Sequence, residues 1–172
     1  MPFVKPRRAK SSATGFSLVE LMVVVMVVLV IAAIAVPSLL HARMRANEAA
    51  AVASMKTIQT AETLYALEYP EVGYAPNLAR LGSNGSDCEK PGPSNACLIM
   101  DETLTGGLKS GYVFEIMGDG KTPSADYSLT ATPESAGVSG RCGFSSSQSG
   151  DVNVIPTGGG QGRFAMGSAG CD

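Results

Sequence analysis

Sixteen consecutive apolar residues near the amino terminus, residues 21–36, restrict this 172-residue chain more than any other feature. Around them, the window 16–40 holds 21 apolar residues in 25. A helix over this window extends about 37 Å at about 1.5 Å per residue, enough to cross about 30 Å of hydrocarbon. An all-apolar helix of this length needs lipid or other helices around it. The sequence therefore predicts a membrane-spanning or bundled helix at this position.

The rest of the chain has a different composition. Eighteen of the 20 glycines follow residue 81, and the charged residues lie almost entirely outside the apolar window. Such a distribution is typical of a loop-rich head rather than of a second apolar segment. The sequence thus predicts one apolar helical segment followed by one Gly-rich head.

The first fifteen residues carry four basic side chains and no acidic one: Lys5, Arg7, Arg8 and Lys10. A basic stretch before an apolar run holds its own end of the chain in the cytoplasm. An ordinary secretory signal cut after Ala35 is one alternative, because Ala33 and Ala35 fit the small-x-small pattern. A plain membrane anchor is another. Glu20 argues against both, because a carboxylate inside the membrane costs on the order of 3 kcal/mol and is rarely left without a partner.

The junction between the basic and apolar segments reads GFSLVE from Gly15 to Glu20. With the short basic leader and the apolar run, it resembles the processing site of type IV prepilins. The resemblance implies that a dedicated peptidase cuts between Gly15 and Phe16 and methylates the new amino group of Phe16. Pro37 falls where many of these proteins carry a proline within the apolar helix. The resemblance covers about residues 5–65 and is only general beyond them.

Glu20 would be the fifth residue of the mature chain, and a physical argument gives it a role in assembly. Cleavage after Gly15 exposes a cationic amine beside the hydrocarbon, and Glu20 of one copy can neutralise the amine of another. Each charge is costly alone and much less costly when paired, so the pairing favours adding a subunit in one register. The alternative is that Glu20 is a solvated residue at the membrane edge.

The helix is expected to continue to Tyr69, because residues 38–69 contain no Gly or Pro and are rich in alanine. Pro70 then ends it. Steps of three or four predict an apolar stripe that packs on the head, formed by Val52, Met55, Ile58, Ala61 and Leu64/Tyr65. The opposite face is predicted to carry Arg45, Lys56, Gln59 and Glu62. Pro37 predicts a kink or a stretch that melts during assembly, unless it merely marks the membrane exit.

Beyond the helix, the patterns predict an α+β fold in which three to five short antiparallel strands lie across the helical stripe. Alternating apolar residues predict strands at 111–117 and 127–132, and shorter candidates lie at 141–145, 152–155 and 164–166. The expected division is a cleaved leader (1–15), a transmembrane and assembly helix (16–40), an amphipathic helix half (41–69), a connecting region (70–110) and a β-sheet head with a C-terminal disulfide-closed loop (111–172).

Four cysteines, all after residue 87, predict disulfide bonds, because the head would face an oxidising compartment. Four cysteines allow three pairings. We favour Cys88–Cys97 and Cys142–Cys171, because each bond would close one loop segment. Zinc is a weaker alternative, since the chain has no CxxC motif and its one histidine, His41, is far away in sequence.

The chain shows no GxxxxGK[ST], GxSxG or HExxH motif and no EF-hand loop, so we expect no enzymatic activity, no cofactor and no metal. Asp151 and Asn153 give only a weak indication of calcium. Without the leader, nine basic residues stand against fifteen acidic ones. An acidic head does not favour nucleic acid.

Together, the residues and the resemblance predict a pilin, a structural subunit that polymerises into a type IV pilus-like filament. The expected partners are other copies of the chain, the inner membrane before assembly, prepilin peptidase and the pilus or secretion assembly machinery, with no nucleic acid for a major pilin. The precursor would lie in the inner membrane with its leader cytoplasmic and its head periplasmic, and the filament would be extracellular. The alternatives are a type II secretion pseudopilin, a minor or tip pilin that binds DNA or a surface, and a secreted protein functional only as its head.

Overall fold

The computed structural model describes residues 15–83 and 88–156. The chain divides into two compact units, the first ending at Leu39 and the second beginning at Leu40. A single helix, α1 (Leu18–Glu68), contributes to both. Its first turn is closed by the Leu21 amide, which donates to the Ser17 carbonyl at 3.1 Å. Pro37 lies inside α1, and the kink expected there stays a prediction.

The second unit adds a small sheet and two short helical turns to the end of α1. A 3-10 turn (Leu78–Leu81) and a one-turn helix, α2 (Glu102–Thr105), precede five strands. The strands are β1 (Leu108–Lys109), β2 (Tyr112–Gly118), β3 (Tyr127–Pro133), β4 (Cys142–Ser147) and β5 (Val152–Pro156). The predicted α+β fold, with a long helix and a small antiparallel sheet, is confirmed.

The sheet is an antiparallel meander in the order β1-β2-β3-β4-β5, so strands that are neighbours in sequence are neighbours in space. The first strand was not predicted, because two residues are too few for an alternating pattern. It joins β2 through Ser110 and Gly111, whose φ angles of 52° and 73° are those that a two-residue hairpin turn requires. The strand candidate at 164–166 lies outside the described residues.

The core lies between the last part of α1 and one face of the sheet. Met55, Ile58, Ala61 and Tyr65 of the predicted stripe are buried. Alternate residues of β2 and β3 point towards them and are also buried: Tyr112, Phe114, Ile116, Tyr127, Leu129 and Ala131. The predicted alternation is therefore confirmed, because residues two apart in a strand share one face.

Two predictions about the faces of α1 are wrong. Leu64, placed in the stripe, is 48% exposed, whereas Glu62, placed on the solvent face, is fully buried. Gln59 is only half-exposed and donates a hydrogen bond to Ser146 Oγ on β4. Glu62 is four residues after Ile58 and three before Tyr65, so helical geometry alone places it on the buried face. Its charge, not its spacing, suggested the wrong face.

Candidate processing and assembly site

Gly15 and Phe16 lie in the short non-helical segment just before α1. A Cβ atom added to Gly15 would meet no atom within 4 Å, and Phe16 is 76% exposed. Among the described residues, nothing covers the peptide bond between them. The bond at which the sequence predicts cleavage is therefore exposed with respect to residues 15–83 and 88–156.

Glu20 lies in the first turn of α1, where the partial positive charge of the helix amino terminus favours a carboxylate. It is exposed, and within the described part of the chain it forms no ion pair. A carboxylate at this position thus has no cation from its own described residues to pair with. An uncompensated charge beside an apolar surface needs a partner from another molecule or from water.

The apolar run, residues 21–36, is exposed among the described residues. Its Val, Leu, Ile and Met side chains are each between 49% and 75% exposed. Its most apolar window has a mean hydropathy of 3.1, so α1 is long and apolar enough to cross a membrane. Surface this large and apolar is not stable in water, because soluble monomers rarely expose more than a few hundred Å² of contiguous apolar area. The run must therefore be covered by lipid or protein.

The cysteines lie in the second unit, away from the processing junction in sequence. Cys88 and Cys97 form a disulfide bond whose Cα atoms are 5.9 Å apart. The Ala96 amide donates to the Arg80 carbonyl and the Leu98 amide to the Leu81 carbonyl, which attaches the chain on both sides of Cys97 to the 3-10 turn. Cys142 is also disulfide-bonded. Its expected partner, Cys171, lies outside the described residues, so that pairing stays a prediction.

Contacts between α1 and the turn joining β3 to β4 were not predicted. Asn47 Nδ2 donates to the Ser139 carbonyl at 2.9 Å, and the Arg141 amide donates to Glu48 Oε1 at 2.8 Å. The Arg141 guanidinium also contacts His41 Nδ1 at 2.8 Å. These partners are more than 90 residues apart in sequence, and no local pattern in either segment indicates the pairing.

Glu62 is the other residue that sequence reasoning missed. Its Oε2 atom accepts a hydrogen bond from the Ala75 amide at 2.8 Å, while its buried Oε1 atom has no partner in the part of the chain that the structure describes. Burial raises the pKa of this carboxyl from 4.5 to about 7, although the hydrogen bond from Ala75 acts in the opposite direction. Within residues 15–83 and 88–156, no three His, Cys, Asp or Glu side chains group as a metal site requires.

The processing junction, Glu20 and the apolar run all fall within one sequence motif. Residues 10–36 match the protein-family model described as the prokaryotic N-terminal methylation motif. No solved structure matched the chain. The match begins in the basic leader and ends with the last residue of the apolar run. The helix that contains this run is long and apolar enough for a membrane-anchored precursor. The chain therefore carries the class III signal motif characteristic of type IV pilin-like proteins.

Proposed function

We propose that the chain is cut between Gly15 and Phe16, N-methylated at Phe16, and then assembled as the structural subunit of a type IV pilus-like surface filament. The observation that carries this proposal is a coincidence of three features in one segment. The methylation motif, the uncovered Gly15–Phe16 bond and the uncovered apolar run all lie within residues 10–36. A plain membrane anchor needs only the last of them.

The apolar run supports assembly because it is compatible with two surroundings. In the precursor, lipid covers its exposed Val, Leu, Ile and Met side chains. In a filament, the same side chains pack against the corresponding helices of other copies, so they pass from bilayer to bundle without entering water. No new surface has to form during this exchange.

Glu20 determines the register in which each new subunit is added. Cleavage leaves an amine on Phe16, one turn before Glu20, in surroundings that contain no cation from the described part of the chain. The amine of an incoming subunit and Glu20 of a subunit already in place neutralise each other. A subunit in any other register leaves two unpaired charges in an apolar bundle, which is strongly unfavourable.

The second unit supports a structural role on the filament exterior. Its own core is complete without the apolar run, because the end of α1 packs on the sheet. With nine basic against fourteen acidic residues from Leu40 onwards, its charge favours no polyanionic ligand. The remaining surface is therefore free to face solvent around a core of helices.

Mass spectrometry of the mature protein tests the processing step. We expect an amino terminus at Phe16 that carries a methyl group. A terminus at Val36 would instead identify a secretory signal cut after Ala35, and an intact leader would identify a plain anchor. Either result contradicts the proposal.

Shearing of surface filaments tests the assembly step. Filaments composed chiefly of this chain support a pilus subunit. A correctly processed chain that stays in the inner membrane fraction and forms no surface filament supports a pseudopilin instead. A chain present in only a few copies per filament supports a minor or tip pilin. The last two outcomes reject the role of main subunit.

A further inference from the structure

Glu62 is buried at the point where α1 meets the chain that leaves it. Its side chain is fully inaccessible, and so is Ala75, whose amide donates to Oε2 at 2.8 Å. The Oε1 atom is equally buried and has no hydrogen-bond partner among the described residues. A carboxylate oxygen buried without a partner is among the more costly features that a folded protein contains. It therefore needs an explanation beyond packing.

The loop 69–75 covers this carboxyl and is attached on two sides. On one side the Ala75 amide binds Glu62 of α1. On the other side Ser124, in the connection between β2 and β3, makes two backbone hydrogen bonds to the loop: its amide donates to Val72 at 2.8 Å, and its carbonyl accepts from Tyr74 at 3.1 Å. The loop thus joins the end of α1 to the sheet.

The loop and Ser124 approach so closely at Gly73 that no side chain fits between them. A Cβ atom on Gly73, whose φ is 77°, would collide with the Ser124 backbone. The Tyr74 ring packs on the Tyr127 ring of β3 with centroids 4.9 Å apart. The loop is therefore held closely against Ser124 and Tyr127.

The ionisable groups around Glu62 provide no positive charge. From β3, Tyr127 interacts with it electrostatically, and burial first, then Glu62, raises the pKa of this tyrosine to about 12. Two further tyrosines lie on the neighbouring elements: Tyr74 is in the loop and Tyr65 is in α1. The Tyr74 ring packs on Tyr127, and the Tyr65 hydroxyl donates to the Pro93 carbonyl.

The β2–β3 connection contributes two acids rather than a base. Asp126 interacts with Tyr127, and Asp119 accepts a hydrogen bond from Ser124 Oγ at 2.9 Å. Hydrogen bonds from Lys121 and Ser124 lower the pKa of Asp119, so it stays ionised near neutral pH. Among the described residues no Lys, Arg or His forms an ion pair with Glu62. Ionised Glu62 thus has no ion-pair partner within residues 15–83 and 88–156.

We propose that Glu62 is a pH-sensitive latch: its neutral carboxyl holds the loop 69–75 against the sheet, and its ionisation loosens that loop. The Ala75 hydrogen bond favours the carboxylate, but the burial of an unpartnered oxygen opposes it, and burial prevails. Once ionised, Oε1 gains water only by displacing the loop. The latch needs neither leader cleavage nor filament formation.

The sign of the effect follows from the two protonation states. A carboxyl that titrates near 7 when folded and near 4.5 when unfolded binds more protons in the folded state between those values. The stability that Glu62 contributes is therefore complete below about pH 4.5 and is lost as the pH rises towards 7. Between pH 5 and pH 8 the unfolding equilibrium constant should rise on the order of 50-fold through this group alone.

The experiment measures amide hydrogen exchange and urea unfolding of the full chain in detergent micelles at pH 5 and pH 8. In the wild type, the protection factors of the Tyr74 and Ser124 amides should be lower at pH 8 than at pH 5. The unfolding equilibrium constant should be on the order of 50-fold higher at pH 8. In Glu62→Gln, which cannot ionise, both differences should largely disappear. The matched control is Glu68→Gln, because Glu68 is the exposed last residue of the same helix and should behave as the wild type.

A second measurement does not depend on the variant folding. The side-chain carboxyl carbon of Glu62 in the wild-type chain, followed by NMR, should titrate well above pH 4.5, and the Ala75 amide should shift with the same midpoint. A Glu62 midpoint near 4.5 would overturn the latch. Equal pH dependence of Tyr74 and Ser124 protection in the wild type and in Glu62→Gln would also overturn it.

Discussion

The two halves of α1 have the same secondary structure and opposite surroundings. Up to Leu39, the Val, Leu, Ile and Met side chains of the helix are about half-exposed or more, whereas all eight buried residues of α1 lie beyond Leu40. In the second half the chain covers its own apolar face with a sheet. In the first half the described chain offers no cover at all. The second half of the helix is therefore buried by its own chain, whereas the first half needs lipid or other chains to bury its apolar side chains.

This difference shows what each half contributes to stability. Burial in the second half lowers the free energy of a single chain, because its apolar side chains leave water when the sheet packs on them. Burial in the first half lowers the free energy of a membrane or an assembly. Substitutions in the two halves should therefore change different measured quantities.

The largest effect is expected for Glu20→Ala in the first half. The chain should still insert and be processed, but the yield of sheared filaments should fall by about a hundredfold, because an unpaired amine in an apolar bundle costs about 3 kcal/mol and each 1.4 kcal/mol is about a factor of ten. Glu115→Ala, an exposed acid on β2, serves as the control and should leave the yield unchanged. Equal yields for Glu20→Ala and the wild type would remove the charge-pairing account.

A smaller effect separates the two halves directly. Ile58→Ala removes a fully buried side chain of the core and should destabilise the second unit by about 2–5 kcal/mol. Leu29→Ala removes a similar volume from a side chain that is 64% exposed and should not change the unfolding of that unit. Urea unfolding of the full chain in micelles, followed by tyrosine near-UV circular dichroism, measures both. The comparison fails if the two variants unfold at the same urea concentration.

The smallest effect concerns the disulfide loop. Replacing both Cys88 and Cys97 by serine opens a loop with a sequence separation of 9 and should destabilise the second unit by about 2–3 kcal/mol in the chain-entropy model. The same urea experiment measures it, and non-reducing peptide mapping verifies which bond is lost. An unchanged unfolding midpoint would show that this bond does not constrain the unfolded chain. Membrane insertion should be the same as in the wild type.

The features that were predictable from sequence are those that local composition specifies. The apolar run needs no tertiary partner to be recognised, since its length and composition already determine its preferred solvent. The alternation in β2 and β3 was also readable, because both strands are long enough for a period of two to show. The two residues of β1 are too few for such a pattern.

Glu62 shows why the remaining features were not predictable. Helical spacing places it beside Ile58 and Tyr65, but spacing cannot tell whether a carboxyl on that face will be covered. The cover comes from the loop 69–75, which turns back over α1 because Ser124, some fifty residues later, binds it. The contacts of Asn47 and Glu48 with the β3–β4 turn likewise join segments that are far apart in sequence.

The sequence by itself determined the class III signal motif, the apolar run with Glu20 just before it, and the helix-plus-sheet composition of the second unit. Each of these follows from residue type and spacing within a short window. Only the tertiary structure decided which face of α1 is covered, that Glu62 is buried with one unpartnered oxygen, and that a two-residue strand forms the sheet's first edge. Those outcomes depend on packing and hydrogen bonding between segments, some of them far apart in sequence, rather than on local pattern.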